Sequence, residues 1–244
     1  MKIIVITQAR TASTRFPNKI MNRIEGKTLL SIHIDRIKKS KKINTLIIAT
    51  TNKKYDDIIE NEANKLGVHC YRGDEDDVLD RFYQAAKSYN PDYVVRLTSD
   101  CPLIDPFLVD EIIEATISSN VDYCSNTLIE SYPDGQDVEV FTFSSLKKAW
   151  KKAHLKSERE HVTPYMKKNF KVLNIHSNNM EFNKVRMTVD EPNDFDVIKK
   201  LTYYLGFDES WLNYTNLYLS NITISSSNDS IIRNEGYIES IKGD

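Results

Sequence analysis

The sequence predicts an α/β fold: a single three-layer α/β/α domain built on a mostly parallel sheet. Three features carry that prediction. Short runs rich in Ile and Val alternate along the chain with stretches of helical periodicity. Those runs are apolar throughout rather than at every second residue, as expected of strands covered on both faces. The chain has 244 residues, 40% of them apolar, enough for the core of one such domain.

Taken in order, residues 3–6 form the first buried strand. Residues 28–39 carry Leu29, Leu30, Ile32, Ile34 and Ile37 at close to helical spacing. Residues 46–50 are a second strand, and 55–66 a helix ended by Gly67, which suits a left-handed C-terminal position. A short strand at 68–71, a helix at 78–88, a strand at 93–97 and a helix at 107–118 follow. In the second half, 138–141 and 184–189 read as strands, and Pro192 suits the first turn of a helix running to about Tyr204. No linker divides the chain; a domain over 1–224 is followed by a tail, 225–244. Ligands of such a sheet bind at the carboxyl ends of its strands. The segments to inspect are therefore 7–19, 50–53, 72–77 and 98–102.

Charge and cysteine content exclude several classes. The formal net charge is −2, so no basic excess points to nucleic acid, and a polyanion would have to be held by a few placed cations. Cys70, Cys101 and Cys124 are odd in number, far apart and without a CxxC pair. That pattern argues against a disulfide framework or a zinc site and for a reducing, cytoplasmic setting. Residues 1–6 read as a strand and not as a signal peptide. No apolar run approaches the roughly 20 residues that a membrane helix needs.

The strongest chemical signal is the loop after the first strand, residues 8–19. Arg10, Arg15 and Lys19 supply three cations, and Thr11, Ser13 and Thr14 three hydroxyls. A triphosphate needs both, since cations neutralise it and hydroxyl or backbone donors fix its oxygens. The loop lacks the glycines of a P-loop or a dinucleotide fingerprint. Asp100 and Asp190 each follow an apparent strand, where a carboxylate reaches the crevice or else caps the next helix. Arg81 either contacts a nucleotide or pairs with Asp77 four residues earlier. Glu158-Arg159-Glu160-His161 is a dense polar cluster, read either as an acceptor contact or as a helix N-terminus.

Residues 8–19 resemble the A-R-x-x-S-T-R-L-P-G-K signature of the CMP-sugar synthetase superfamily, which includes the synthetases of CMP-KDO and CMP-sialic acid. The match is best with its SpsF-like cytidylyltransferase branch, from bacterial surface and spore-coat polysaccharide pathways. Phe16 replaces the usual Leu and Asn18 the usual Gly, Asn being the residue that best tolerates a left-handed backbone in glycine's place. Five further blocks resemble the superfamily in order: residues 72–82 (R-G-D-E-D-D-V-L-D-R-F), 96–104 (R-L-T-S-D-C-P-L-I), 132–139 (Y-P-D-G-Q-D-V-E), 158–165 (E-R-E-H-V-T-P-Y) and 186–190 (R-M-T-V-D). The R-N-E-G-Y of residues 233–237 resembles a late motif of the branch.

The resemblance implies a nucleotide-diphospho-sugar-transferase-like domain that transfers CMP from CTP to a sugar acid, sugar phosphate or related acceptor, releasing pyrophosphate. It implies Mg²⁺ held by Asp100 and Asp190, with Arg10, Lys19 and Asp100 as the catalytic set. Nucleotide contacts fall to Gln8, Ala9, Arg10, Ser13, Thr14, Arg15, Lys19, Arg72, Asp77, Arg81 and Thr98. Acceptor contacts fall to Asn126, Asp134, Glu139, Arg159, Glu160 and His161. The expected partners are CTP and a small sugar-like acceptor, without nucleic acid or membrane; a homodimer is compatible. Two rivals are a glycosyltransferase, against which Ser99-Asp100-Cys101 is not a D-x-D motif, and a catalytically inactive nucleotide-binding subunit.

Overall fold

Ile3 and Val5 point to one side of the first strand and Ile4 and Ile6 to the other, and each pair enters a different hydrophobic cluster. The computed structural model describes residues 1–231, 233, 240, 241 and 244. Strand β1 (Ile3–Gln8) lies third in a seven-stranded sheet. On one side β4 (Thr45–Thr51) and then β5 (His69–Gly73) pair in parallel. On the other, β6 (Tyr93–Thr98) is parallel to β1, whereas β8 (Glu139–Thr142) runs antiparallel between β6 and β7 (Tyr123–Ser125). β9 (Val172–Asn174) closes that edge, parallel to β7. A two-stranded ribbon, β2 (Arg23–Ile24) and β3 (Lys27–Thr28), stands apart.

Helices cover both faces. α1 (Leu29–Ile37), α2 (Asp57–Leu66) and α4 (Pro106–Ser118) bury Ile34, Ile59 and Ile112 against the Ile3 and Val5 side. α3 (Val78–Lys87), α5 (Phe143–Lys152) and α7 (Pro164–Asn169) bury Phe82, Leu146 and Met166 against the other. α6 (Lys156–His161) joins α5 to α7. α8 (Pro192–Leu205), α9 (Trp211–Ser220) and α10 (Ile222–Ser225) build a third cluster over Val185, Met187 and Val189. α2 ends on Gly67 with φ 64°, the left-handed cap read from the sequence. Among the described residues no helix is long and apolar enough to cross a membrane.

The expected strand at 184–189 is not one. Residues Met180–Lys184 form a 3-10 turn, and the segment beyond it makes a single bridge, Asp134 to Arg186. The free edge of β6 is taken by β8, so the segment bonds to two loops instead. Asp134 N donates to Val185 O at 2.9 Å, Met187 N to Asp134 O at 2.7 Å, and Val189 N to Asp100 O at 2.8 Å. Gly135 permits this approach: its φ is 103°, and a Cβ there would lie 2.6 Å from the backbone carbon of Met187.

Candidate active site

The first loop is folded before any ligand arrives. Thr11 donates its N–H (2.8 Å) and its hydroxyl (2.7 Å) to Asp56 Oδ1, and the Thr51 hydroxyl donates to Oδ2 of the same buried carboxylate. Asn18 adopts the left-handed conformation expected of the position, φ 58° and ψ 18°, with its N–H on Thr11 O. This turn leaves Arg10 and Thr14 exposed and drives Lys19 inward. Lys19 Nζ lies 3.1 Å from Asp100 Oδ2 and 2.7 Å from Asp190 Oδ1. Burial alone would make this amine easier to deprotonate, but the two carboxylates outweigh it and raise its pKa, so it stays an ammonium. Asp100 answers in kind: burial opposes its charge, yet Lys19 and the Thr98 hydroxyl hold it well below the usual carboxylate range.

The capping alternatives for the two aspartates do not apply. The cap of α4 is Asp105, whose Oδ1 accepts from Phe107 N at 2.8 Å. At the start of α8 it is Asp194 Oδ2 that accepts from Asp190 N and Glu191 N. The oxygens of Asp190 go instead to Lys19, to Arg186 Nη2 at 3.0 Å and to Arg15 Nη2 at 3.3 Å. The Asp100 turn is braced from below by His33. Its Nδ1 lies 2.8 Å from Cys101 O and its Nε2 2.9 Å from Thr7 Oγ1. The carbonyl can only accept, so Nδ1 carries the hydrogen and Nε2 takes the threonine proton.

Burial lowers the His33 pKa from 6.5 to about 4. Below pH 6.5 the unfolded chain therefore binds this proton before the folded one does, and stability falls until about pH 4. Between pH 7 and pH 5 His33 alone should cost about 2 kcal/mol. Denaturant midpoints at the two pH values, compared with those of His33→Asn, check this; an unaltered pH slope in the variant contradicts it.

Two cavities meet over this centre. The larger, about 1060 Å³, is lined by Gln8, Ala9, Arg10, Ser13, Thr14, Arg15, Lys19, Asp77, Arg81, Thr98, Asp100, Arg159, Glu160, His161 and Asp190 among others. The smaller, about 380 Å³, is lined among others by Arg96, Asp134, Asp137, Glu139, Lys167 and Arg186. Arg15, Thr98, Asp100, His161 and Asp190 belong to both. Val162, which follows His161, takes φ 70°, uncommon for a β-branched residue, at the junction of α6 and α7.

Four expected site residues sit away from their expected places, one of them Glu160, expected to meet the acceptor, which lines the larger cavity and not the smaller. Arg72 points away from both cavities, paired with Asp57 at 2.6 Å and Glu60 at 2.8 Å on α2. Asn126 is buried between loops, its amide donating to Gln136 O and its carbonyl accepting from Val138 N. Arg159 lines the larger cavity and not the smaller, because Asp77 holds it there: Nε lies 3.1 Å from Asp77 Oδ2, and Nη1 donates to Trp150 O. Asp77 also caps α3 by accepting from Asp80 N, so Arg81 bonds to Asp74 O rather than to Asp77.

The smaller cavity contains residues that sequence reading did not assign. Glu139 accepts from Tyr123 Oη and Thr163 Oγ1, both at 2.6 Å, with Lys167 Nζ at 3.0 Å and Arg96 Nη1 beside it. Burial disfavours that carboxylate, but Lys167 and Arg96 hold it far below its ordinary range. Glu139 thus fixes two cations in the wall. Arg186 grips Asp134 (2.6 Å), Asp190 (3.0 Å) and Asp194 (2.8 Å). Arg96 and Arg186 open two of the sequence blocks quoted above, the only local signal for them; Lys167 has none.

With this geometry described, comparison with known proteins is specific. Residues 4–224 match a family model described as cytidylyltransferase. An uncharacterised protein of Methanocaldococcus jannaschii is 44% identical over 205 residues, 82% of this chain and 83% of its own. The spore coat polysaccharide biosynthesis protein SpsF of Bacillus subtilis is 33% identical over 213 residues, covering 84% and 88%. The solved structure of a cytidylyltransferase from Leptospira borgpetersenii superposes with a TM-score of 0.87 at 33% identity, covering 92% of this chain and 96% of that one.

Proposed function

The chain belongs to the cytidylyltransferase family, and from that premise we propose that it transfers CMP from CTP to a sugar-like acceptor with release of pyrophosphate, in the cytoplasmic assembly of a surface polysaccharide. The observation that carries the reading is the Asp100–Lys19–Asp190 cluster at the meeting of the two cavities, one lined by the cationic first loop. CTP would occupy the larger cavity with its phosphates on Arg10, Ser13, Thr14, Arg15 and Lys19. The acceptor would occupy the smaller.

An acceptor oxygen attacks the α-phosphorus, a new O–P bond forms, and the bond to the bridging oxygen breaks as pyrophosphate leaves. Such a transfer needs positioning and charge neutralisation more than covalent chemistry. Arg10, Arg15 and Lys19 offset the charge that develops on the leaving group. Glu139, through Arg96 and Lys167, orients the acceptor wall. Cys101 takes no part: burial keeps its thiol protonated. Asp100 and Asp190 suit Mg²⁺, since two hard carboxylates that converge on one ammonium can share an ion completed by water and phosphate oxygens. When bound, the ion would supply charge neutralisation at the phosphates.

The test is a pyrophosphate-release screen of the four nucleoside triphosphates against KDO, nonulosonic acids, phosphorylated polyols and amino sugar phosphates, with Mg²⁺ or EDTA. Release from CTP and not from the other three, abolished by EDTA, is the expected result. Release of CMP or UDP from a nucleotide sugar would make the protein a glycosyltransferase, and nucleotide binding without any turnover would make it an inactive subunit.

A further inference from the structure

The R-N-E-G-Y block has no place in the chemistry above, and of its five residues only Arg233 lies among those described; Asn234 to Tyr237 fall outside them. The Arg233 side chain is 13% exposed. Its Nη2 donates to Asp137 Oδ1 at 2.6 Å and its Nη1 to Tyr132 O at 3.1 Å. Its Nε lies 3.5 Å from Glu130 Oε1 and 3.9 Å from Asp134 Oδ1. Glu130, Asp134 and Asp137 form one wall of the smaller cavity.

That wall is connected to the reaction centre. Asp134 accepts Arg186 Nη1 on its other oxygen, and Arg186 Nη2 bonds to Asp190, which bonds to Lys19. Charges therefore alternate in sign from Arg233 to Asp100. The cavity is lined by six carboxylates (Asp100, Glu130, Asp134, Asp137, Glu139, Asp190) and four cations (Arg15, Arg96, Lys167, Arg186). Half of the carboxylates crowd onto the Arg233 wall, where like charges would push the loop 132–137 apart and repel an anionic sugar. Arg233 lies beyond residue 224, where the match to the family model ends, and it bonds to Tyr132 and Asp137 and pairs with Glu130 and Asp134. The last described residues bond to α6: Ser240 Oγ donates to Glu160 at 3.0 Å, and Ser157 N donates to Asp244 at 2.8 Å.

We propose that Arg233 is a positioning residue of the acceptor site, holding loop 132–137 in one conformation and offsetting its charge. The proposal rests on reading the smaller cavity as the acceptor's. It is tested with Arg233→Met and Arg233→Lys in the full chain. Three measurements are made: CTP affinity with Mg²⁺ by calorimetry, kcat and KM for the panel acceptor that supports pyrophosphate release, and hydrogen exchange over peptides spanning 132–137 and 3–8. Arg233→Met should leave CTP affinity within about twofold, raise the acceptor KM roughly tenfold, and quicken exchange at 132–137 but not at 3–8. Arg233→Lys should recover part of the KM, because the charge remains while the two-pronged grip is lost. Unchanged KM and exchange in Arg233→Met overturn the proposal, as does an equal loss of CTP affinity. Should the wild type turn over no acceptor, the functional reading fails, while exchange still decides whether Arg233 fixes the wall.

Discussion

Asp100→Asn is expected to lower the rate of pyrophosphate release by roughly 100-fold or more while leaving the fold intact. The substitution removes a charge at nearly constant volume. The turn that carries Asp100 does not depend on its carboxylate: Cys101 N bonds to Thr98 O, Val189 N to Asp100 O, and His33 to Cys101 O. What the variant loses is one of the two carboxylates that converge on Lys19, and with it half of the donor set that suits a divalent ion. Lys19 keeps Asp190 at 2.7 Å and stays in the site. Turnover number and melting temperature, measured on the same preparations, separate chemistry from folding. Full activity in the Asn variant, or wild-type activity in EDTA, would sink the assignment of Asp100 as a metal ligand.

The second large effect is expected at Arg186. Its guanidinium is buried and bonds to Asp134, Asp190 and Asp194, the last through both Nε and Nη2. Burial works against its charge, but the three carboxylates more than compensate and raise its pKa further. Arg186→Met keeps much of the apolar stem and leaves two buried carboxylates, Asp134 and Asp194, and the half-buried Asp190 without their shared cation. Breaking a buried ion network from one side costs about 3–5 kcal/mol, a drop of roughly 10 °C in Tm for a chain of this size. Asp134 already sits high, at about 7, because burial and the nearby Asp137 push it up against Arg233 and Arg186. Without Arg186, which pulls it down, it would rise further and carry a proton at neutral pH. Turnover should fall with stability, since Asp190 loses a brace. Arg186→Lys should recover less than half of the loss, because one ammonium cannot span three partners. Chemical denaturation of the three proteins provides the measurement, and equal midpoints for wild type and Arg186→Met would contradict it.

Much of the larger cavity was legible in the sequence because its signals are local. Apolar runs at 3–6, 46–50 and 93–97 can only be strands covered on both sides, and the cationic loop follows the first of them directly. Asn18 was legible because few residues tolerate its backbone. The misread segment, 184–189, shows the limit. Val185, Met187 and Val189 are fully buried at every second residue, so the pattern reported burial correctly while saying nothing of pairing. The smaller cavity depends on contacts between residues far apart. Arg159 is drawn to the larger cavity by Asp77, 82 residues away, and Arg96 and Lys167 are placed by Glu139. Asn126 was expected at the acceptor from the resemblance alone, but its amide is consumed by backbone groups at Gln136 and Val138.

The anchoring of Thr11 on Asp56 bears on affinity as well as on shape. Fixing a residue's backbone costs about 1–2 kcal/mol in conformational entropy. In a flexible phosphate loop that cost falls on every binding event. Here the first turn of the loop is tied down by two donors from Thr11 and one from Thr51 to a fully buried carboxylate. Its ordering is completed when the protein folds, so under the proposed function a triphosphate at Arg10, Ser13 and Thr14 would meet a backbone whose first turn is already fixed. The loop therefore resembles a glycine-rich phosphate cradle in its effect while achieving it by the opposite means, a pinned backbone rather than a permissive one.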